Sequence, residues 1–385
     1  MQKEAFMDRK NFMSANVKRS TQKRISYVFF LCTIFFFIFL YADVPKTVQN
    51  LSMAKSLYLI YNPVETKPEK VEKRINNVYV VLSGDMNYHY LLATPLVVQH
   101  WLNLNVSSIV MLCGKQKEYK DDPAGREVIN ELSRLGAELI FLQNHTLNSN
   151  NFAQNMRNYA AATTFVQEKL NNKTILMTSD VDFYPFHKEH HIPDMTKGKE
   201  IFFYNIDCCG NQEWKGLKYK QYVMITIAMT VKRWKEVMDI SPTDRATGNY
   251  IENKTNAAFD YELGRKLYDS QWMWYLDQRL FGLQYHRANK IHHYAPLVSS
   301  YKYKTRLDRS TWTSHTKSEF KNMDFSEVDD AHTSPAIYTD TWWNLNLPFY
   351  ERIFTKEQMQ NIIDYRERAV KFVNQNATAK RHFHP

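Results

Sequence analysis

Two acidic residues with one residue between them, Asp180 and Asp182, form the only D-x-D in this chain of 385 residues. Carboxylates so placed at the end of a strand can reach one hard cation. Mn²⁺ or Mg²⁺ suits such a site, taking one or two carboxylates and completing its shell with phosphate oxygens. The ion would bridge a diphosphate and neutralise the charge that develops on it as a group departs. The alternative is a capped strand end with two solvated acids. Paired acids also serve glycoside hydrolases, whose carboxyls stand roughly 5 to 9 Å apart across a sugar ring; side chains two residues apart suit a single metal better. His187, His190 and His191 follow closely, but HKEHH has no usual zinc spacing and reads as an exposed loop. G-x-x-x-x-G-K-[ST], G-x-G-x-x-G and G-x-S-x-G are all missing, so NTPase, dinucleotide-enzyme and serine-hydrolase chemistry lack their minimum parts.

The residues around the acids specify how they are held. Asn77–Leu82 (NVYVVL), Ser108–Leu112 (SIVML), Ala137–Leu142 (AELIFL) and Thr174–Thr178 (TILMT) are strand candidates. Between them fall helical stretches over 91–103 and 124–135, and Phe152, Met156, Tyr159, Thr163, Val166 and Leu170 predict one long amphipathic helix. Strands alternating with helices imply an α/β fold with a mainly parallel sheet. Ligands in such sheets bind beyond the carboxyl ends of the strands, where Ser83-Gly84-Asp85 and Asp180-Val181-Asp182 both fall. Further strands are expected over 201–204 and 222–229, with a short helix capped by Thr230 and another over Gln271–Leu280 capped by Ser270. Beyond about residue 290 the pattern fades into aromatic, loop-rich sequence.

The hydrophobic content of 44% is ample for a large core. The net charge of +10 is concentrated: residues 1–24 carry +5 of it, leaving the rest only mildly basic and giving a nucleic-acid role little support. Residues 25–42 (ISYVFFLCTIFFFIFLYA) are uncharged and long enough for a membrane span, and too long for the apolar stretch of a cleaved signal peptide. The basic flank makes 1–24 a cytosolic tail, 25–44 a transmembrane signal anchor, 45–74 a stem and 75–385 a lumenal domain. Within that domain a ligand-binding half is expected over about 75–230 and a second half over 231–385. Six glycosylation sequons, at Asn50, Asn105, Asn144, Asn172, Asn253 and Asn376, all follow the anchor. Cys113, Cys208 and Cys209 allow one bridge within the lumenal chain, and the adjacent pair reads as structural.

The run TILMTSDVDFYPF, preceded by NFAQNMRNYAAATTFVQEKL and followed by YVMITIAMTVKRWKEVM and WYLDQRLFG, resembles glycosyltransferases of the GT-A fold over roughly residues 77–285. The resemblance implies a Rossmann-like nucleotide-diphospho-sugar transferase fold preceded by one transmembrane helix. It also implies Mn²⁺ (or Mg²⁺) held by Asp180 and Asp182 against the donor diphosphate, with Ser83, Gly84 and Asp85 meeting the nucleoside. Arg157 would contribute donor contacts, while Tyr159 fits the core better. Asp277, in an Asp-Gln element, is implied as a base or acceptor contact, the alternative being that it pairs with a neighbouring arginine or caps a backbone group. A third, histidine ligand is known in related families. His286, His292, His293, His315 and His332 are available, but none has the expected glycine-containing context. Trp312, Trp342 and Trp343 could stack on sugars, although core is their commoner role. The implied activity is hexosyl transfer, with galactose slightly ahead, from a UDP-sugar to a glycan acceptor in the Golgi or ER. A catalytically inactive lumenal sugar-binding protein of the same fold is the second reading, and a glycoside hydrolase the third.

Overall fold

The computed structural model of the protein describes residues 77–263, 271–310, 312, 320 and 322–379. The expected tail, anchor and stem all lie outside the described residues, and among the described residues no helix is long and apolar enough to cross a membrane.

Seven strands form the main sheet in the order β3-β2-β1-β4-β9-β6-β10. They are β1 (Val78–Gly84), β2 (Ser107–Cys113), β3 (Glu138–Leu142), β4 (Ile175–Thr178), β6 (Ile201–Tyr204), β9 (Ile227–Thr230) and β10 (Val298–Tyr301). β1 to β4 are mutually parallel along the sheet, β9 runs antiparallel between β4 and β6, and β10 is parallel to β6. After β1 the chain builds outward through β2 and β3, then returns to place β4 on the other side of β1. That reversal opens a crevice at the strands' carboxyl ends.

Alternation along the strands sorts the core onto two faces. Val80, Leu82, Val110, Leu112 and Met177 face one layer, which includes α1 (Thr94–Asn103) and α2 (Pro123–Arg134). Val81, Ile109, Met111, Leu176 and Phe203 face the other, with α3 (Ser149–Met156).

The long helix expected after Phe152 is three pieces: α3, a 3₁₀ segment over Arg157–Ala162, and α4 (Thr164–Lys169). Tyr159 leaves helical geometry at φ −107°, ψ 16°. Thr163 is extended and starts α4 by accepting the Val166 N–H on its hydroxyl. The apolar periodicity survives because each piece keeps its face on the sheet. The expected strand over 222–229 shortens to β9; Tyr222, Met224 and Ile225 are buried without joining the ladder.

α5 (Val231–Val237) is capped by Thr230 as expected, and α6 (Gly248–Ala258) follows. The helix expected over 271–280 is a turn at Gln271–Trp274, a break at Tyr275 (φ −107°, ψ 22°) and then α7 (Leu276–His292), while Ser270 lies outside the described residues. α7 crosses the hairpin of β7 (Asn211–Trp214) and β8 (Leu217–Lys220) so closely that a Cβ on Gly282 would stand 2.3 Å from the Lys220 carbonyl oxygen.

The described part of the C-terminal sequence, which carries no clear period, forms further elements. β5 (Phe183–Pro185), β12 (Asp330–His332) and β11 (Arg306–Asp308) make a small sheet in the order β11-β12-β5. α8 (Asp340–Ile353) and α9 (Lys356–Ala379) close the molecule over the first face, where the Tyr365 hydroxyl donates to the Leu92 carbonyl oxygen at 2.9 Å.

Candidate active site

Ser83 and Gly84 end β1, and Asp85 follows. β4 ends at Thr178, from which Ser179-Asp180-Val181-Asp182 crosses to β5. The backbone fixes this crossing at both ends: the Ser179 N–H donates to the Val81 carbonyl oxygen at 3.2 Å, and the Thr333 N–H to that of Asp182 at 3.0 Å. The second bond belongs to the antiparallel register of β5 and β12, in which Phe183 opposes His332. A residue 150 positions downstream is thereby delivered to the D-x-D.

Asp180, Asp182 and His332 each offer a ligand atom within 4.8 Å of the other two. His332 Nε2 lies 3.0 Å from Asp182 Oδ1. Two ligand atoms cis on an octahedral ion with bonds of about 2.1 Å are about 3.0 Å apart, so this spacing fits a small divalent cation. The O, O, N donor set suits Mn²⁺ as well as Mg²⁺. Of the five histidines the sequence offered as a third ligand, His332 is the one that stands beside the two aspartates; the only signal for it is pairing with β5, which three-residue strands do not advertise.

The neighbouring charges are tied together. Arg157, buried at 7% exposure, donates from Nη1 to Asp180 Oδ1 at 2.5 Å and to the Ser179 carbonyl oxygen at 3.0 Å, and from Nη2 to Asp277 Oδ2 at 2.7 Å. Asp277 sits in the first turn of α7 and is 2% exposed; its Oδ1 accepts the Gln278 N–H at 2.8 Å. Burial pushes the Asp277 carboxyl above its usual range despite Arg157. Asp182 is also pushed up by burial, but His332 and Arg309 together hold it below its usual value. Burial opposes a charge on His332, yet the Asp182 carboxylate raises the imidazole above its ordinary value.

These groups share one cleft, whose walls include Ser83, Gly84, Asp85, Arg157, Asp180, Asp182, Asp277 and Arg309. Every predicted catalytic, donor-contact and metal residue therefore stands on one surface. Asp277 has both the cleft position and the arginine partner that the sequence offered as alternatives. Trp274 lines the same cleft at 44% exposure. A shallower depression shares Asp85 and continues to Cys113, Lys115 and His145 at the ends of β2 and β3.

Other candidates lie elsewhere. Trp312 and Trp343 are buried in the core, Trp312 against Phe320 and Phe349, so neither offers a face to a sugar. The loop expected to be exposed at HKEHH buries His191 completely, with Nδ1 3.0 Å from the Thr226 hydroxyl, and burial lowers its pKa to about 3. Phe183 and Tyr204 enclose that ring, a packing role the sequence pattern did not reveal. His286, His292 and His293 lie on or just after α7, outside the ligand group, and His315 is outside the described residues. Cys208 and Cys209 are bonded to each other. Cys113 is a buried free thiol, raised to about 12 by burial, that donates to His145 Nε2 at 3.0 Å. Asn105, Asn144, Asn172 and Asn253 are exposed; Asn50 and the Asn376 side chain lie outside the described residues.

No protein-family model matches the sequence, and no curated protein matches it either. Among solved structures the chain is similar to the galactosyltransferase LgtC in complex with donor and acceptor sugar analogues (11% identity, TM-score 0.35, covering 74% of this chain and 100% of that one). It is also similar to the apo glycosyltransferase GlyE of Streptococcus pneumoniae TIGR4 (13% identity, TM-score 0.34) and to the bifunctional glycosyltransferase WbbM (12% identity, TM-score 0.38). The matches cover 74% and 79% of this chain but only 64% of GlyE and 52% of WbbM. Likeness at this level does not place the chain in a family, so the functional reading rests on the site itself.

Proposed function

We propose that the protein transfers a hexosyl group, galactosyl in first place, from a UDP-sugar to a glycan acceptor, as a type II membrane protein acting in the Golgi lumen. The observation that carries the reading is the convergence of Asp180, Asp182 and His332 at the β1/β4 crevice, in an open cleft beside Ser83–Asp85. A divalent ion bound there would supply positive charge to the donor diphosphate as the sugar leaves. Ser83, Gly84 and Asp85 meet the nucleoside, which the depression along β2 and β3 has room to accept. Arg157 fixes the directions of Asp180 and Asp277. Asp277 faces the acceptor hydroxyl, and its raised carboxyl suits proton acceptance near neutral pH better than an ordinary aspartate would.

The test is a panel of nucleotide sugars offered to the full chain in detergent, with and without Mn²⁺. UDP release should require the metal and be lost in Asp182→Asn and His332→Ala, with melting temperatures kept near wild type. Cleavage of a glycan without nucleotide or metal would establish the hydrolase reading instead. UDP binding without turnover of any donor would establish the binding-protein reading.

A further inference from the structure

Arg309 follows β11 and reaches the same two groups that the cation needs. Its Nη1 is 3.1 Å from Asp182 Oδ2, and its Nη2 is 2.9 Å from His332 Nε2. The same Nε2 stands 3.0 Å from Asp182 Oδ1. An imidazole nitrogen either carries a proton or accepts one. With a proton, Nε2 satisfies Asp182 but meets the Arg309 N–H donor to donor. With a lone pair, it accepts from Arg309 but meets Oδ1 acceptor to acceptor. The second arrangement is the one a metal ligand requires, and it needs a positive charge against both acceptors. The Arg309 guanidinium is the positive charge set against both groups here.

Resting on the metal-site reading above, we propose that Arg309 is the resident counter-cation of the Asp182–His332 pair and gives up its place to the divalent ion. Ion and guanidinium compete for the same lone pairs and repel each other at contact distance. Arg309 is 40% exposed, so its departure costs little burial. It lines the same cleft, where a bound donor diphosphate would offer the displaced charge a new partner. Metal alone must therefore evict a cation, whereas metal with diphosphate gives that cation somewhere to go. The chain should bind Mn²⁺ weakly by itself and tightly with UDP.

The experiment measures Mn²⁺ affinity of the full chain in detergent, from the electron paramagnetic resonance signal of free Mn²⁺, with and without UDP. Arg309→Met should bind Mn²⁺ alone at least about tenfold more tightly than wild type, equivalent to about 1.4 kcal/mol. Its gain in Mn²⁺ affinity on adding UDP should shrink well below the wild-type gain, and Arg309→Lys should restore much of it. If Arg309→Met binds Mn²⁺ no more tightly than wild type, or keeps the full UDP-dependent gain, the proposal is overturned. Asp182→Asn separates the two levels of failure. Wild type that binds Mn²⁺ with UDP, and loses it in Asp182→Asn, keeps the metal site whatever Arg309 does. A wild-type chain that binds no Mn²⁺ even with UDP overturns both the site and the proposal.

Discussion

Arg157 is the mechanical centre of the site, and replacing it by methionine tests that directly. The substitution keeps the apolar stem and removes the cation between Asp277, 2% exposed, and Asp180, whose side chain is 30% exposed. Breaking a buried pair from one side costs roughly 3 to 5 kcal/mol, because the remaining charge is left unpaired. For a domain of this size that corresponds to a fall of about 5 to 10 °C in melting temperature. The double variant Arg157→Met/Asp277→Asn removes the stranded charge and should regain more than about 2 kcal/mol of the loss. The sign of the pH dependence follows from Asp277. Its carboxyl is raised by burial, and without Arg157 it rises further. A folded-state pKa above the unfolded value adds stability as pH falls and loses it as pH rises through the folded pKa. The deficit of Arg157→Met against wild type should therefore narrow from pH 8 to pH 5. Thermal unfolding by circular dichroism at both pH values measures this. A melting temperature within 2 °C of wild type at pH 8, or a double variant no better than the single one, would refute the account of Arg157 as the clamp, by the scale of about 2 °C per kcal/mol used above.

Two further outcomes are expected. Trp274→Ala should raise the acceptor KM about fivefold or more, in line with roughly 1 kcal/mol for an aromatic contact, while Mn²⁺–UDP affinity stays at wild type and Trp274→Phe recovers most of the loss; equal weakening of donor and acceptor would place the indole elsewhere. Gly282→Ala should destabilise by about 1 to 3 kcal/mol, because the new methyl meets a backbone oxygen that cannot step aside. Helix propensity alone would raise stability by about 1 kcal/mol, so a higher melting temperature in this variant would show that α7 has slack against β8.

Sequence legibility followed local periodicity. β1 to β4 could be read because each is a compact apolar run ended by a turn, and their alternation with helices fixed where Ser83 and Asp180 must lie. The break at Tyr159 was hidden because a kinked helix and a straight one bury the same apolar positions. His332 was illegible for a different reason. Its strand, Asp-Ala-His, has three residues and no period, and its partner β5 is no longer. What holds β12 is polar and distant: Asp330 is buried against Arg306 at 2.6 Å and against the Tyr204 hydroxyl, while Asp329 accepts the Tyr301 hydroxyl at 2.6 Å. Such pairs have no spacing along the chain from which they could be inferred. Trp312 and Trp343 were ambiguous for the same reason, since an aromatic in unpatterned sequence carries no sign of which side it faces.

The pairing of β12 with β5 also bears on how the protein is made. Asp182 leaves the ribosome 150 residues before His332, a delay of roughly 8 to 30 s at ordinary translation rates. During that interval β1 to β4 can already associate, but the imidazole that meets Asp182 does not yet exist. A chain cut short anywhere before β12 would keep both carboxylates of the pair and lack the imidazole that stands against them.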